Sequence, residues 1–256
     1  MAFLNLYLHS DALGMASEVN VILPEASRTQ IGMEGHRTET YKTLYLLHGL
    51  SDDQSIWMRR TSIERYAARY GIAVVMPNAH RSWYCNMAHG GDYYTYIAEE
   101  LPRLCRSYFS GMSAEREMNF IGGLSMGGYG AMKIALRRPN VFGGVVALSG
   151  AFDVAASKNR YAGGTYWEDI FGPCEKITGS ENDVFTLAEM AIANNSLPYK
   201  MYIACGTEDD HLPASQKLEK ILSSAGYPHI YRETKGYHNW DFWDAEIERA
   251  LAYLFG

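Results

Sequence analysis

At 256 residues the chain can form one large α/β domain spanning residues 1–256, and no linker-like stretch divides it. Its 23 basic and 29 acidic residues give a formal charge of -6 without any basic block, which argues against a nucleic-acid partner. No run is long and apolar enough to span a bilayer, and Cys85, Cys105, Cys174 and Cys205 lack CxxC or metal-ligand spacing, so neither a membrane anchor nor a disulfide framework is expected.

The first residues lack a basic leader region and a small-residue cleavage site, so they read as a first strand and the chain as cytoplasmic. Residues 3–9 and 17–23 alternate apolar and polar side chains, as half-buried antiparallel edge strands do, with a turn-rich connection over 24–36. Residues 43–47 are almost wholly apolar, the pattern of a central strand covered on both faces, and they run into His48-Gly49-Leu50-Ser51-Asp52-Asp53. A helix is expected over 56–70 and a buried strand over 73–76. The long loop that follows, 77–92, carries His80, Trp83, Tyr84, Asn86 and His89; such loops line a site or pack over one. The spacing then predicts a helix over 93–109, kinked or broken near Pro102.

Residues 118–130 read as strand, sharp turn and helix, and Gly123, Ser125 and Gly127 spell GxSxG inside the turn. Glycine and serine are common enough that the pentapeptide alone says little. Its setting says more: an apolar approach and a helix-like run after it are what a nucleophile elbow requires, which makes Ser125 the candidate nucleophile. Beyond it come a buried strand over 144–148 and a stretch, 153–197, whose periodicity dissolves among Gly, Asn, Ser and aromatics including Tyr161, Tyr166, Trp167 and Phe171. That stretch is expected to form a small inserted cap over the pocket. A strand over 201–204, a helix over 214–225, a strand over 229–233 and a closing helix over 240–254 complete an alternation that implies a mainly parallel sheet with helices on both faces.

A serine hydroxyl needs a base within hydrogen-bond reach and an acid that fixes the base's tautomer. His238 lies between the last strand and the last helix, where the base belongs, whereas His211 is too near the acidic turn and His229 stands at a strand start. The acid is sought among Glu208, Asp209 and Asp210, with Asp209 favoured and Asp210 second. Backbone N–H groups of Leu50 and Met126 are the expected oxyanion donors, one from the early strand-to-helix loop and one from the residue after the nucleophile. His48 is read as an anchor of that loop, and Trp83 and Tyr84 as substrate-binding aromatics. No cofactor or metal is expected.

Leu47-His48-Gly49-Leu50, His80-Arg81-Ser82-Trp83-Tyr84, Gly123 to Gly130, Cys205 to Asp209 and His238-Asn239-Trp240 resemble the esterase D / tributyrin esterase (EstA) branch of the α/β-hydrolases. The resemblance covers nearly the whole chain. Related groups are antigen 85 and carbohydrate esterase family 1, which implies hydrolysis of short-chain acyl esters, including acetyl and sometimes feruloyl groups on sugars. By the same resemblance Ser125, Asp209 and His238 match the triad, and Leu50 and Met126 the oxyanion hole. Asp210 stands where many relatives carry an aromatic or apolar residue. The reading is a serine carboxylesterase acting through an acyl-enzyme on a small-molecule ester, without nucleic acid or membrane partners and with homo-oligomerisation left open. Its alternatives are a thioester hydrolase of the formylglutathione hydrolase type, an acyltransferase, and a non-catalytic binding module on the same fold.

Overall fold

The computed structural model describes residues 1–26, 29, 31, 38–157 and 164–256. An antiparallel hairpin opens it: β1 (Ala2–Ser10) pairs with β2 (Met15–Leu23), Ala2 opposite Leu23 and Ser10 opposite Met15. β3 (Thr43–Leu47), β4 (Ala73–Pro77), β5 (Asn119–Leu124) and β6 (Gly144–Leu148) are buried along their whole lengths, and β7 (Lys200–Gly206) and β8 (Ile230–Thr234) follow. Together they form one sheet in the order β1-β2-β4-β3-β5-β6-β7-β8. β2 meets β4 antiparallel, and every pair from β4 to β8 is parallel.

Alternation along the strands divides the core in two. Tyr45, Leu47, Val75, Ile121, Val145 and Ile203 face one layer, with α4 (Leu101–Tyr108), α5 (Met126–Arg137), α7 (Val184–Ala193) and α8 (Leu212–Ser224). Leu44, Leu46, Val74, Phe120, Val146 and Tyr202 face the other, covered by α1 (Ile56–Arg60), α2 (Ile63–Tyr70) and α9 (Trp240–Phe255). Two further helices are α3 (Tyr93–Thr95) and α6 (Tyr166–Phe171). Among the described residues no helix is long and apolar enough to cross a membrane.

Two segments depart from the sequence reading, each for a local reason. The single helix expected over 56–70 is two, because the Thr61 backbone turns extended and both its N–H and its hydroxyl donate to the Trp57 carbonyl, capping α1. The helix expected over 93–109 widens into a π turn at Tyr96–Glu100, just before Pro102, which has no N–H to continue a regular ladder. Buried Glu100 ends that turn and accepts from the Ser10 hydroxyl and, at 2.8 Å, the Asp11 N–H, tying the edge hairpin down. Within 153–197, the stretch expected as a cap, α7 packs against α5 and α8 between β6 and β7. Residues 158–163, including Tyr161, lie outside the described residues.

Candidate active site

Turns after β3, β5, β7 and β8 converge at the C-terminal edge of the sheet, where parallel α/β folds place their sites. Ser125 lies between β5 and α5 with φ 54° and ψ -118°, a sparsely populated conformation for a residue with a Cβ. Its N–H donates to the Leu148 carbonyl at 2.9 Å, and its carbonyl accepts from Tyr129 and Ala151, so neighbours on both sides hold the turn. The flanking glycines serve close approach: a Cβ on Gly127 would stand 2.4 Å from the Leu47 carbonyl oxygen, and one on Gly123 would stand 2.5 Å from that of Gly127. The positive φ belongs to the serine itself.

His238 connects this turn to the acidic one. Its Nε2 is 2.9 Å from Ser125 Oγ, and its Nδ1 is 2.8 Å from Asp209 Oδ2. A carboxylate only accepts, so Nδ1 carries the proton and Nε2 is free to accept from the serine hydroxyl. Asp209 Oδ1 takes the His211 backbone N–H at 2.9 Å. Burial pushes the Asp209 carboxyl up, but the hydrogen bond and charge of His238, with the His211 N–H and the Ser149 hydroxyl, outweigh it and hold the group below its ordinary value. Asp209 is buried whereas Asp210 is exposed at the cleft. Glu208 accepts from Thr207 Oγ1 at 2.7 Å and from the Gly236 N–H at 2.9 Å, joining the acidic turn to the turn that carries His238.

The Leu50 and Met126 backbone N–H groups have no hydrogen-bond acceptor among the described residues. Met126 is the first residue of α5, where the helix dipole adds partial positive charge. The Leu50 loop is built on His48, which is buried and has both ring nitrogens engaged: Nδ1 with the Gly49 carbonyl at 2.7 Å, Nε2 with the Ala79 N–H at 3.0 Å. Burial pushes its pKa down to about 4, so the ring is neutral and its Nδ1–H donates.

A cleft of about 510 Å3 opens over Ser125, its walls including Leu50, Asp52, Trp83, Asp210, Trp240 and Trp243. Among the described residues none from 153–197 lines it. Instead α6 buttresses Trp83: the Trp167 ring lies 4.9 Å from the Trp83 indole, and the Trp83 Nε1–H donates to Tyr166 Oη at 3.1 Å. Tyr84, expected beside Trp83 at the substrate, is fully buried and points away from the cleft, its hydroxyl donating to the His48 carbonyl at 2.8 Å. Consecutive positive φ values at Trp83 and Tyr84 turn the two side chains apart.

Sequence reasoning missed the residues behind this wall. Lys133 is fully buried, with Nζ 3.2 Å from the Trp83 carbonyl, 3.2 Å from Asn182 Oδ1 and 2.9 Å from Cys85 Sγ. Burial lowers the lysine pKa and raises that of the thiol. A lysine on the apolar face of the elbow helix was the available signal. Trp240 and Trp243 were missed too, although both follow His238 within five positions.

Comparison with known proteins bears on this geometry. The protein-family model "Putative esterase" matches residues 10–254. An acetyl esterase of Caldicellulosiruptor saccharolyticus is 31% identical over 263 aligned residues, which cover 99% of this chain and 98% of the relative. Among solved structures, the substrate-bound fluorophosphonate-binding serine hydrolase F (FphF) of Staphylococcus aureus superposes with TM-score 0.89 at 36% identity, covering 100% of this chain and 98% of that one. The S-formylglutathione hydrolase (FrmB) of Staphylococcus aureus gives TM-score 0.87 at 36% identity, with 100% and 99% covered.

Proposed function

The chain belongs to the esterase family and is a carboxylic-ester hydrolase, and from that premise we propose that it cleaves short-chain acyl esters, acetyl to butyryl, through an acyl-enzyme on Ser125. The observation that carries the proposal is the double contact of His238, 2.9 Å from Ser125 Oγ and 2.8 Å from buried Asp209. In the first half-reaction Ser125 Oγ attacks the ester carbonyl carbon while its proton passes to His238 Nε2. The oxyanion that forms is met by the Leu50 and Met126 N–H groups. Asp209 holds the imidazolium, which then gives its proton to the leaving alcohol as the C–O bond breaks. Water attacks the acyl-enzyme with His238 again as base, releasing the acid and restoring the serine.

Short acyl chains are supported by the similarity to an acetyl esterase and by the Trp83 wall, which Trp167 and Tyr129 back so that it does not recede. Acetylated saccharides fall within this substrate class, and feruloylated ones join it only if a flat slot beside Trp83 takes the aromatic ring. A second reading, a thioester hydrolase of the formylglutathione type, is favoured by the similarity to the staphylococcal FrmB enzyme and needs only a thiolate as leaving group in place of an alkoxide. A cytoplasmic location goes with either reading, because all four cysteines are free thiols. The test is kcat/KM across acetyl, butyryl, octanoyl, decanoyl and feruloyl esters, with S-formylglutathione alongside. Each methylene that fits a groove gains about 0.8 kcal/mol, so an open groove raises the rate steadily with chain length. The proposal predicts a maximum at acetyl to butyryl and a steep fall by octanoyl. A monotonic rise to decanoyl contradicts it, and a thioester rate far above every oxygen ester selects the second reading.

A further inference from the structure

Ser149, directly after β6, is fully buried at φ 49°, a backbone that suits glycine better than any residue with a Cβ. Its place in the strand end is kept by the backbone, whose N–H donates to the Ala204 carbonyl at 2.7 Å. Besides turning its own O–H to Asp209, the side chain adds an acceptor: Ser149 Oγ takes the Trp243 Nε1–H at 3.1 Å. The indole so fixed stands against the His238 imidazole, ring centroids 4.8 Å apart and planes at 89°. Trp240 packs on it at 5.2 Å and touches Trp57 in turn at 5.3 Å, and Trp57 Nε1–H donates to the Leu47 carbonyl at 3.0 Å, at the root of the Leu50 loop. His211 covers the imidazole as well, at 5.0 Å.

The imidazole has need of such a wall. It rides on a turn with 34% of its side chain exposed, and its two hydrogen bonds leave it free to rock about the line that joins them. Once Ser125 Oγ is acylated, the serine no longer donates to Nε2, and only Asp209 and the packed rings hold the base for the attack of water.

We propose that Ser149 and Trp243 are positioning residues of the esterase reaction: the Ser149 hydroxyl fixes the Trp243 indole, and the indole keeps the His238 imidazole aligned between Asp209 and the reacting oxygen, above all in the acyl-enzyme. This rests on His238 being the base and Ser125 the acylated residue. It accounts for a serine on a backbone that favours glycine, since a conformational cost at a buried position persists where the side chain is used.

Stopped-flow hydrolysis of p-nitrophenyl acetate by S149G and by W243F, which keeps an aromatic ring but loses the donor and the second ring of the indole, tests it. Glycine suits the backbone here but leaves the Trp243 Nε1–H unpaired, and the two effects offset, so S149G is expected to melt cooperatively near the wild-type temperature. Both variants are expected to release a full burst of about one nitrophenolate per chain and then turn over about tenfold more slowly, with KM falling alongside kcat because the acyl-enzyme accumulates. S149G also removes the hydroxyl's contact with Asp209, so it is expected to be the slower single, and the double variant no slower than S149G, because the hydrogen bond that W243F removes is already lost in it. Wild-type kcat in both variants overturns the proposal, as does a burst that shrinks in step with kcat, which signals lost folded enzyme. If wild-type enzyme forms no acyl-Ser125 at all, the esterase mechanism itself fails; if it does and the variants match it, only the role of Ser149 and Trp243 fails.

Discussion

His48 and His238 ride on turns at the same edge of the sheet, one after β3 and the other after β8, yet their surroundings give them opposite work. His48 is buried, and both of its nitrogens are spent on backbone groups of Gly49 and Ala79. His238 keeps about a third of its side chain in solvent, and both of its nitrogens meet side chains, Asp209 Oδ2 and Ser125 Oγ. An imidazole pushed down to about 4 by burial is a poor proton acceptor near neutrality, but a dependable neutral strut. Residue type thus nominates a histidine, and burial with partners decides what it does.

The comparison breaks most easily at the serine. Ser125→Ala removes the group that His238 serves and is expected to lower kcat on the order of 10⁴-fold or more with the fold intact, measured on a short-chain nitrophenyl ester. Near-normal turnover would remove His238's distinction from His48. Next in size is the acid. Asp209→Asn deprives Nδ1–H of a charged acceptor and is expected to cost about 10³-fold in kcat, whereas Asp210→Asn at the exposed neighbour is expected to stay within about threefold. The reverse order would move the acid by one residue.

The smaller effects belong to the strut. His48→Gln is expected to lower stability more than it lowers kcat per folded molecule, as read from a melt and an active-site titration on the same sample, because it leaves Gly49 or Ala79 unpaired. The pH dependence of stability sharpens the contrast further. Above pH 6.5 the His48 ring is neutral in folded and unfolded chains alike; between 6.5 and about 4 only the unfolded chain binds the proton, so stability falls as pH falls through that window. The loss attributable to His48 approaches about 3 kcal/mol and then levels off. Denaturant melts of the wild type and the Gln variant from pH 7.5 to 4 separate this contribution, which the variant lacks.

Much of this was legible in the amino-acid order, and the rest was not for identifiable reasons. Strands β3 to β6 announce themselves as short apolar runs, because a strand covered on both faces has no polar side to display. Ser125, Asp209 and His238 come from turns marked by local glycines and by their place after a strand, so their meeting follows from strand order alone. Contacts made across long sequence separations left no such mark. Nothing near Trp243 points to Ser149, 94 residues away, and nothing near Lys133 points to Cys85. Tyr84 misled because it adjoins Trp83, yet two successive left-handed backbone conformations send the neighbours to opposite destinations, one to the cleft wall and one beneath His48. The break at Thr61 and the π turn before Pro102 likewise depend on which carbonyl a hydroxyl or a missing N–H leaves served.

The central claim, that one histidine activates Ser125 and the other supports the loop, is tested most directly by the rate at which a fluorophosphonate labels the protein, followed by intact-mass spectrometry and peptide mapping. Wild type is expected to take one adduct, on Ser125. In His238→Ala the rate is expected to drop about 10³-fold, while folded His48→Gln stays within about tenfold of wild type. Labelling of His238→Ala at the wild-type rate, or an adduct on any residue other than Ser125, would contradict the account.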